Sequence, residues 1–209
     1  MSGIDPFKIV WRRHGSKMAR YEIRLSGSGG QGLILAAIIL AEAAGIHDGK
    51  YVCQTQSYGP EARGGASKAE IVISDEQIDY PKAIKPDLLL AMNQKSCDSY
   101  FFDLKPAGML IVDSTFVKQL PTTMAISIPF TRIAREKLGK EQGANIIALS
   151  TLVALCGAVS LSSLEAAVKS RTPKGTEEFN KKALELGIEC AGNTMQTNAE
   201  VNNYEDSSD

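Results

Sequence analysis

Residues 27–32 read GSGGQG, and their glycine spacing is the feature of this chain best suited to binding chemistry. Gly27, Gly29 and Gly32 satisfy a GxGxxG pattern, with Gly30 as a fourth glycine and Ser28 and Gln31 between them. Such a stretch turns tightly and lets backbone N–H groups approach a ligand, and a helix beginning just after it adds partial positive charge at its N-terminus. An anion, above all a phosphate, would be stabilised there, with the Gln31 amide as a neutral donor and acceptor beside it. The same glycines also suit a plainer task, the close packing of a strand, a helix and a neighbouring chain.

A second constellation occupies residues 58–65, YGPEARGG. Its glycines and proline exclude helix and central strand, so it reads as a structured loop. Arg63 can present a fork to a carboxylate or phosphate, and Glu61 can pair with a cation or orient Arg63. An ordinary surface turn with one ion pair is the alternative. Asp113 and Ser114 close the run MLIVDS, where Asp113 serves either as a polar site member or as a cap for the next segment, the cap being the better match to its position.

What is absent narrows the chemistry. A dinucleotide-binding unit wants a carboxylate about 20 residues after the glycine loop to hold ribose hydroxyls, and here the second strand ends CQTQS. The two histidines, His14 and His47, stand outside any Ser, His and carboxylate set, and the residues offer no base-activated nucleophile. Four cysteines, Cys53, Cys97, Cys156 and Cys190, are too far apart in sequence for CxxC or CxH spacing, which argues against a zinc or iron–sulfur site made by this chain alone. With 23 Lys and Arg against 24 Asp and Glu, no overall field draws nucleic acid or an anionic membrane. The early apolar run FKIVW is too short for a signal sequence, so the expected location is the reducing cytoplasm with free thiols.

The elements that must position these residues can be read from periodicity. Strands are predicted at 21–25, 50–54, 67–74, 87–93, 109–114 and 124–128, the fourth and fifth being short continuous apolar runs of the kind that parallel strands show when buried on both faces. Helices are predicted at 33–44, 131–138, 144–159, 162–170 and 176–186. This alternation describes a single α/β domain: a Rossmann-like open, mostly parallel sheet with helices on both faces. The glycine loop then sits between first strand and first helix, and both loops lie at the carboxyl edge of the sheet, where ligands gather in such folds. Residues 33–41 are apolar on every side, so that helix needs a cover on both faces, inside the domain or from another subunit. Residues 1–19 read as a loose N-terminal lead-in, 20–192 as the domain and 193–209 as a disordered polar tail.

Taken together, the two loops, the strand ending IVDST, the run NIIALSTLVALCGAV and the segment GTEEFNKKALELG resemble the gamma subunit of the 2-oxoacid:ferredoxin oxidoreductases over residues 20–192. The resemblance implies a complex that oxidatively decarboxylates a 2-oxoacid with coenzyme A to an acyl-CoA and reduces ferredoxin. It implies alpha and beta subunits as partners, with a delta subunit where one is present. Thiamine diphosphate and [4Fe-4S] clusters would belong to those partners, and this chain would be a non-catalytic subunit supplying a domain on the coenzyme A side. The residues matching the family's motifs are Gly27, Gly29, Gly30, Gln31 and Gly32, then Tyr58, Gly59, Glu61, Arg63, Gly64 and Gly65; all of these but Gly59, with Ser28, form the expected cofactor-side contacts. General likeness leans to 2-oxoglutarate among the acids that such complexes use. A free-standing oxidoreductase with NAD or a flavin, and a nucleotide-sensing scaffold without enzymatic activity, are the competing readings.

Overall fold

The computed structural model describes residues 18–57 and 66–205, with side chains described as far as residue 196. Six strands, β1 (Tyr21–Ser28), β2 (Tyr51–Ser57), β3 (Ala66–Ser74), β4 (Leu88–Ala91), β5 (Met109–Asp113) and β6 (Ile126–Ile128), form one sheet in the order β2-β3-β1-β4-β5-β6. From β1 through β4 and β5 to β6 every pairing is parallel. β3 alone runs against the rest, antiparallel to both β1 and β2. The expected mostly parallel sheet is present, with β2 and β3 forming a hairpin beyond β1.

Alternation along β1 explains how the sheet separates its two faces. Ile23 and Leu25 point into the main core, whereas Glu22 and Arg24 are buried on the opposite side. Arg24 is satisfied there by Glu70 of β3 at 2.7 Å and by Asp103, and its guanidinium lies 5.1 Å above the Tyr100 ring. Glu22 accepts the backbone N–H groups of Ile84 and Lys85. Such pairing is what permits buried charge at all, because an unpartnered ion would meet a large desolvation cost.

On the main-core face lie helix α1 (Leu33–Glu42), which continues as a wider π turn over Ala43–His47, then α4 (Ala144–Cys156) and α5 (Leu161–Arg171). α4 is buried along almost its whole length because α6 (Glu177–Glu205) covers its far side. Most of the all-apolar first helix is therefore covered within the domain; Ile34 and Ile38 remain half-buried. Gly157, with φ +61°, ends α4 in the left-handed conformation that favours glycine. The opposite face carries α2 (Gln94–Tyr100) and a 3₁₀ turn over Phe101–Asp103, packed on Leu89, Leu110 and Val112. A short α3 (Phe130–Ile133) and the π turn Ala134–Leu138 fill the position predicted for a helix at 131–138.

Three differences from the sequence reading have physical causes. α2 was not expected, since QKSCDSY carries no helical apolar stripe; it starts because the Asn93 side chain caps the Ser96 N–H at 2.7 Å. Met18 and Ala19, placed by sequence in the lead-in, are tied to the domain: Met18 is buried and its carbonyl accepts the Asp75 N–H at 2.9 Å, while Ser74 donates its hydroxyl to the Ala19 carbonyl. At the far end α6 runs on to Glu205, past residue 193, where the tail was expected to begin. A lack of apolar residues argues against burial, but each further residue added to a formed helix gains a hydrogen bond, and Met195 and Gln196 are good helix formers.

Candidate functional site

β1 delivers Gly27 and Ser28 at its last two positions, and Gly29 and Gly30 then make the turn. Gly30 at φ +90° and Gly32 at φ +72° hold conformations that other residues rarely adopt, which is the physical reason for glycine at both. Gly27 answers to space instead: a Cβ there would lie 2.3 Å from Gln31 Oε1 and 2.7 Å from Leu33 Cδ1. At Gly29 a Cβ would meet nothing within 4 Å. That glycine is not required by packing, and its backbone faces open space.

The Gln31 amide, which lines the cleft, is also engaged at both ends within the protein. Its Oε1 accepts the Ser28 N–H at 2.6 Å and its Nε2 donates to the Met92 carbonyl at 3.2 Å, so both ends are used in fastening the turn to the end of β4. Gly32 caps α1 without a side chain, and no acidic residue lies in the first turn of that helix. The positive end of α1 is left for another group to satisfy. Asn145, at the start of α4, donates to the Gly32 carbonyl at 3.2 Å, and a Cβ on Gly32 would come within 2.4 Å of the same amide.

These groups line a cleft of about 540 Å³. Ser28, Gly30, Gln31 and Gly32 form one side; Leu35, Met92, Phe116 and Ala144 give it an apolar wall; and Asn93, Thr131, Gln142 and Asn145 supply polar groups. Glu141 is its one charged lining residue among those described, and it is paired with Arg135 at 2.6 Å. Asn93, Phe116, Thr131, Gln142 and Asn145 were not foreseen as site residues. The available signals were the polar ends of apolar runs at the carboxyl edge, Asn93 after LLLAM and Asn145 before IIAL. Asp113 proves to be a cap: fully buried, its carboxylate accepts the Thr115 N–H and both the N–H and hydroxyl of Thr131.

Tyr58, Gly59, Pro60, Glu61, Ala62, Arg63, Gly64 and Gly65 lie outside the described residues. The residues flanking them are placed: Ser57 ends β2, and Ala66 opens β3 directly opposite Ser28. Both loops therefore spring from the same edge of the sheet, and Ser67 donates its hydroxyl to the Gly27 carbonyl at 3.0 Å. Because β3 stands between β1 and β2, the end of β2 is two strand spacings, roughly 10 Å, from the glycine turn. A ribose carboxylate offered from β2 would be one strand too far away, apart from its absence in the sequence.

Cys53 on β2, Cys97 on α2, Cys156 on α4 and Cys190 on α6 are free thiols in four separate elements, which does not fit an iron–sulfur cluster. Burial pushes the Cys97 and Cys156 thiols up to about 11, opposite to what ligation of a metal requires. Among the described residues no group of three His, Cys, Asp or Glu side chains converges, and no helix is long and apolar enough to cross a membrane.

The family model for pyruvate ferredoxin/flavodoxin oxidoreductase matches residues 22–190. The 2-oxoglutarate synthase subunit KorC of Methanocaldococcus jannaschii is 51% identical over 177 residues, covering 82% of this chain and 94% of that protein. The ketoisovalerate oxidoreductase subunit VorA of Methanothermobacter thermautotrophicus is 34% identical over 180 residues, covering 83% of this chain but 37% of the longer relative. Among solved structures, the gamma subunit of a keto/oxoacid ferredoxin oxidoreductase from Geobacter sulfurreducens superposes with a TM-score of 0.74 at 51% identity, covering 82% of this chain and 98% of that one.

Proposed function

The chain belongs to the pyruvate ferredoxin/flavodoxin oxidoreductase family as a gamma subunit of a 2-oxoacid:ferredoxin oxidoreductase, and from that membership we propose that its complex acts on 2-oxoglutarate. The complex oxidatively decarboxylates that acid with coenzyme A and passes the electrons to ferredoxin. The supporting observation is the graded likeness, 51% to a 2-oxoglutarate synthase subunit over nearly its full length against 34% to a ketoisovalerate enzyme. Thiamine diphosphate and [4Fe-4S] clusters sit on alpha and beta partners, and on a delta chain where one is present, in the cytoplasm. The dispersed thiols of this chain are in keeping with that division of labour.

Within the complex this chain contributes the coenzyme A side. What supports the assignment is the glycine turn: Gly30 and Gly32 line the cleft at the uncapped start of α1, where an anionic oxygen would be stabilised. Met92, Leu35 and Phe116 offer apolar surface beside it for the uncharged part of the same ligand. Tyr58, Glu61, Arg63, Gly64 and Gly65, rising from the same edge, complete the contacts to the ligand or to a partner chain, with Arg63 supplying the cation that the described cleft lacks.

The test is to purify the complex through this subunit and to measure ferredoxin reduction with coenzyme A and each of 2-oxoglutarate, pyruvate and 2-ketoisovalerate. A kcat/KM for 2-oxoglutarate at least tenfold above the others is expected. Preference for another acid, or turnover by this chain without companions, overturns the assignment.

A further inference from the structure

The hydrogen-bond polarity at one corner of the cleft is fixed by elements behind it. Asn93 caps α2, and a backbone N–H can only donate, so the group facing Ser96 N must be the Asn93 oxygen, at 2.7 Å. The amide nitrogen then has to face the other way, where it meets Ser28 Oγ at 2.6 Å. The reversed amide would set donor against donor at Ser96, so the helix cap determines its orientation. An amide nitrogen only donates, so Ser28 accepts from it, and the hydroxyl proton of Ser28 is left without a protein acceptor among the described residues. Ser28 lines the cleft. Its backbone is held as well, because Ser28 N–H donates to Gln31 Oε1 at 2.6 Å.

We infer that Asn93 is a positioning residue that makes Ser28 a hydrogen-bond donor into the cleft, selecting for an acceptor oxygen of the ligand, such as that of a phosphate. This rests on the reading of the cleft as the coenzyme A side of the complex. Ser28 then acts alongside the glycine N–H groups, all of them donors, and the α2 cap is coupled to ligand recognition through two side chains.

Asn93→Asp is the discriminating substitution. A carboxylate caps Ser96 as well as an amide does, but it accepts only, so it draws the Ser28 proton away and turns the Ser28 lone pairs toward the ligand. In the assembled complex, Asn93→Asp is expected to raise KM for coenzyme A about ten- to a hundred-fold, the scale of one hydrogen bond to a charged group. The kcat at saturating coenzyme A and KM for the 2-oxoacid stay near wild type. Asn93→Ser, which keeps a cap but is too short to reach Ser28, raises KM for coenzyme A by a smaller factor. Ser28→Ala also raises it, and the double variant Asn93→Asp with Ser28→Ala is no worse than Asn93→Asp alone.

If Ser28→Ala raises KM for coenzyme A while both Asn93 variants leave it unchanged, the positioning role is overturned and the cleft assignment stands. If all four variants leave it unchanged, the cleft assignment itself fails. Equal losses toward coenzyme A and the 2-oxoacid, in the Asn93 variants and in Ser28→Ala alike, mean damage to the scaffold and overturn the inference.

Discussion

Thr151 on α4 donates its hydroxyl to the carbonyl of Gly187 on α6 at 2.9 Å, while also reaching the Ile147 carbonyl in its own helix at 2.9 Å. So close a crossing requires the missing side chain: a Cβ on Gly187 would lie 1.9 Å from Ser150 Oγ and 2.3 Å from the Ile147 carbonyl oxygen. The serine can rotate, but the backbone oxygen cannot.

Gly187→Ala is therefore expected to lower stability although alanine is the better helix former by about 1 kcal/mol. Overpacking against fixed backbone costs about 1–3 kcal/mol beyond that gain. For a domain of this size that is a fall in Tm of roughly 2–12 °C. Calorimetry of the isolated chain reads it, and an unchanged or higher Tm would show that the two helices separate freely.

Gly29 and Gly32 should part company under the same substitution. At Gly32 alanine meets both a left-handed backbone and the Asn145 amide, so Gly32→Ala should impair folding of the turn and the ligand contacts together. Gly29 has open space around it, so Gly29→Ala should keep the wild-type Tm while raising KM for coenzyme A severalfold, because a methyl group obstructs approach to the backbone. Gly29→Ala with wild-type kinetics would place the ligand elsewhere.

Arg63→Ala removes the cation assigned to the loop of residues 58–65. A loss of about ten- to a hundred-fold in affinity, for coenzyme A or for the partner subunits, is expected if Arg63 holds an anionic group. Subunit assembly followed by size-exclusion chromatography and KM for coenzyme A are the two readouts. Both unchanged would return this loop to an ordinary surface turn.

Asp48 links the turn after α1 to the start of α5. Burial alone would raise its carboxyl, but hydrogen bonds from the Ser163 hydroxyl and from the N–H and hydroxyl of Ser160 outweigh that and hold it below the ordinary aspartate value. A depressed folded-state value means that Asp48 stabilises the fold above its unfolded pKa, about 3.9, and that this contribution is lost as pH falls through the lower folded-state value. Asp48→Asn should cost about 1 kcal/mol at pH 7, with the gap from wild type closing toward pH 3 and below. Denaturant titrations at pH 7 and pH 3 check the direction; a gap that widens toward acid would contradict it.

Much of this was legible in the residues. Alternation in YEIRL, the apolar runs LLLA and MLIV and the glycines between strand and helix are local facts, because side-chain period and backbone freedom are set by neighbours in the chain. They gave the α/β class, the parallel strands and the position of the turn at the sheet edge. The cap at Asn93 was less visible, since QKSCDSY lacks a stripe and only the tertiary setting shows the amide in use.

Sequence by itself determined that GSGGQG must be a tight, donor-rich turn, that no carboxylate stands after it at the end of the second strand, and that no two cysteines have CxxC spacing. Tertiary structure decided that β3 inserts antiparallel between β1 and β2, that Gln31 fastens the turn, and that Asn93, 65 residues beyond Ser28, donates its amide to that hydroxyl. The physical reason is range. Propensity and periodicity act over a few residues, whereas strand order and the orientation of an amide depend on donors and acceptors brought together only when the chain closes on itself.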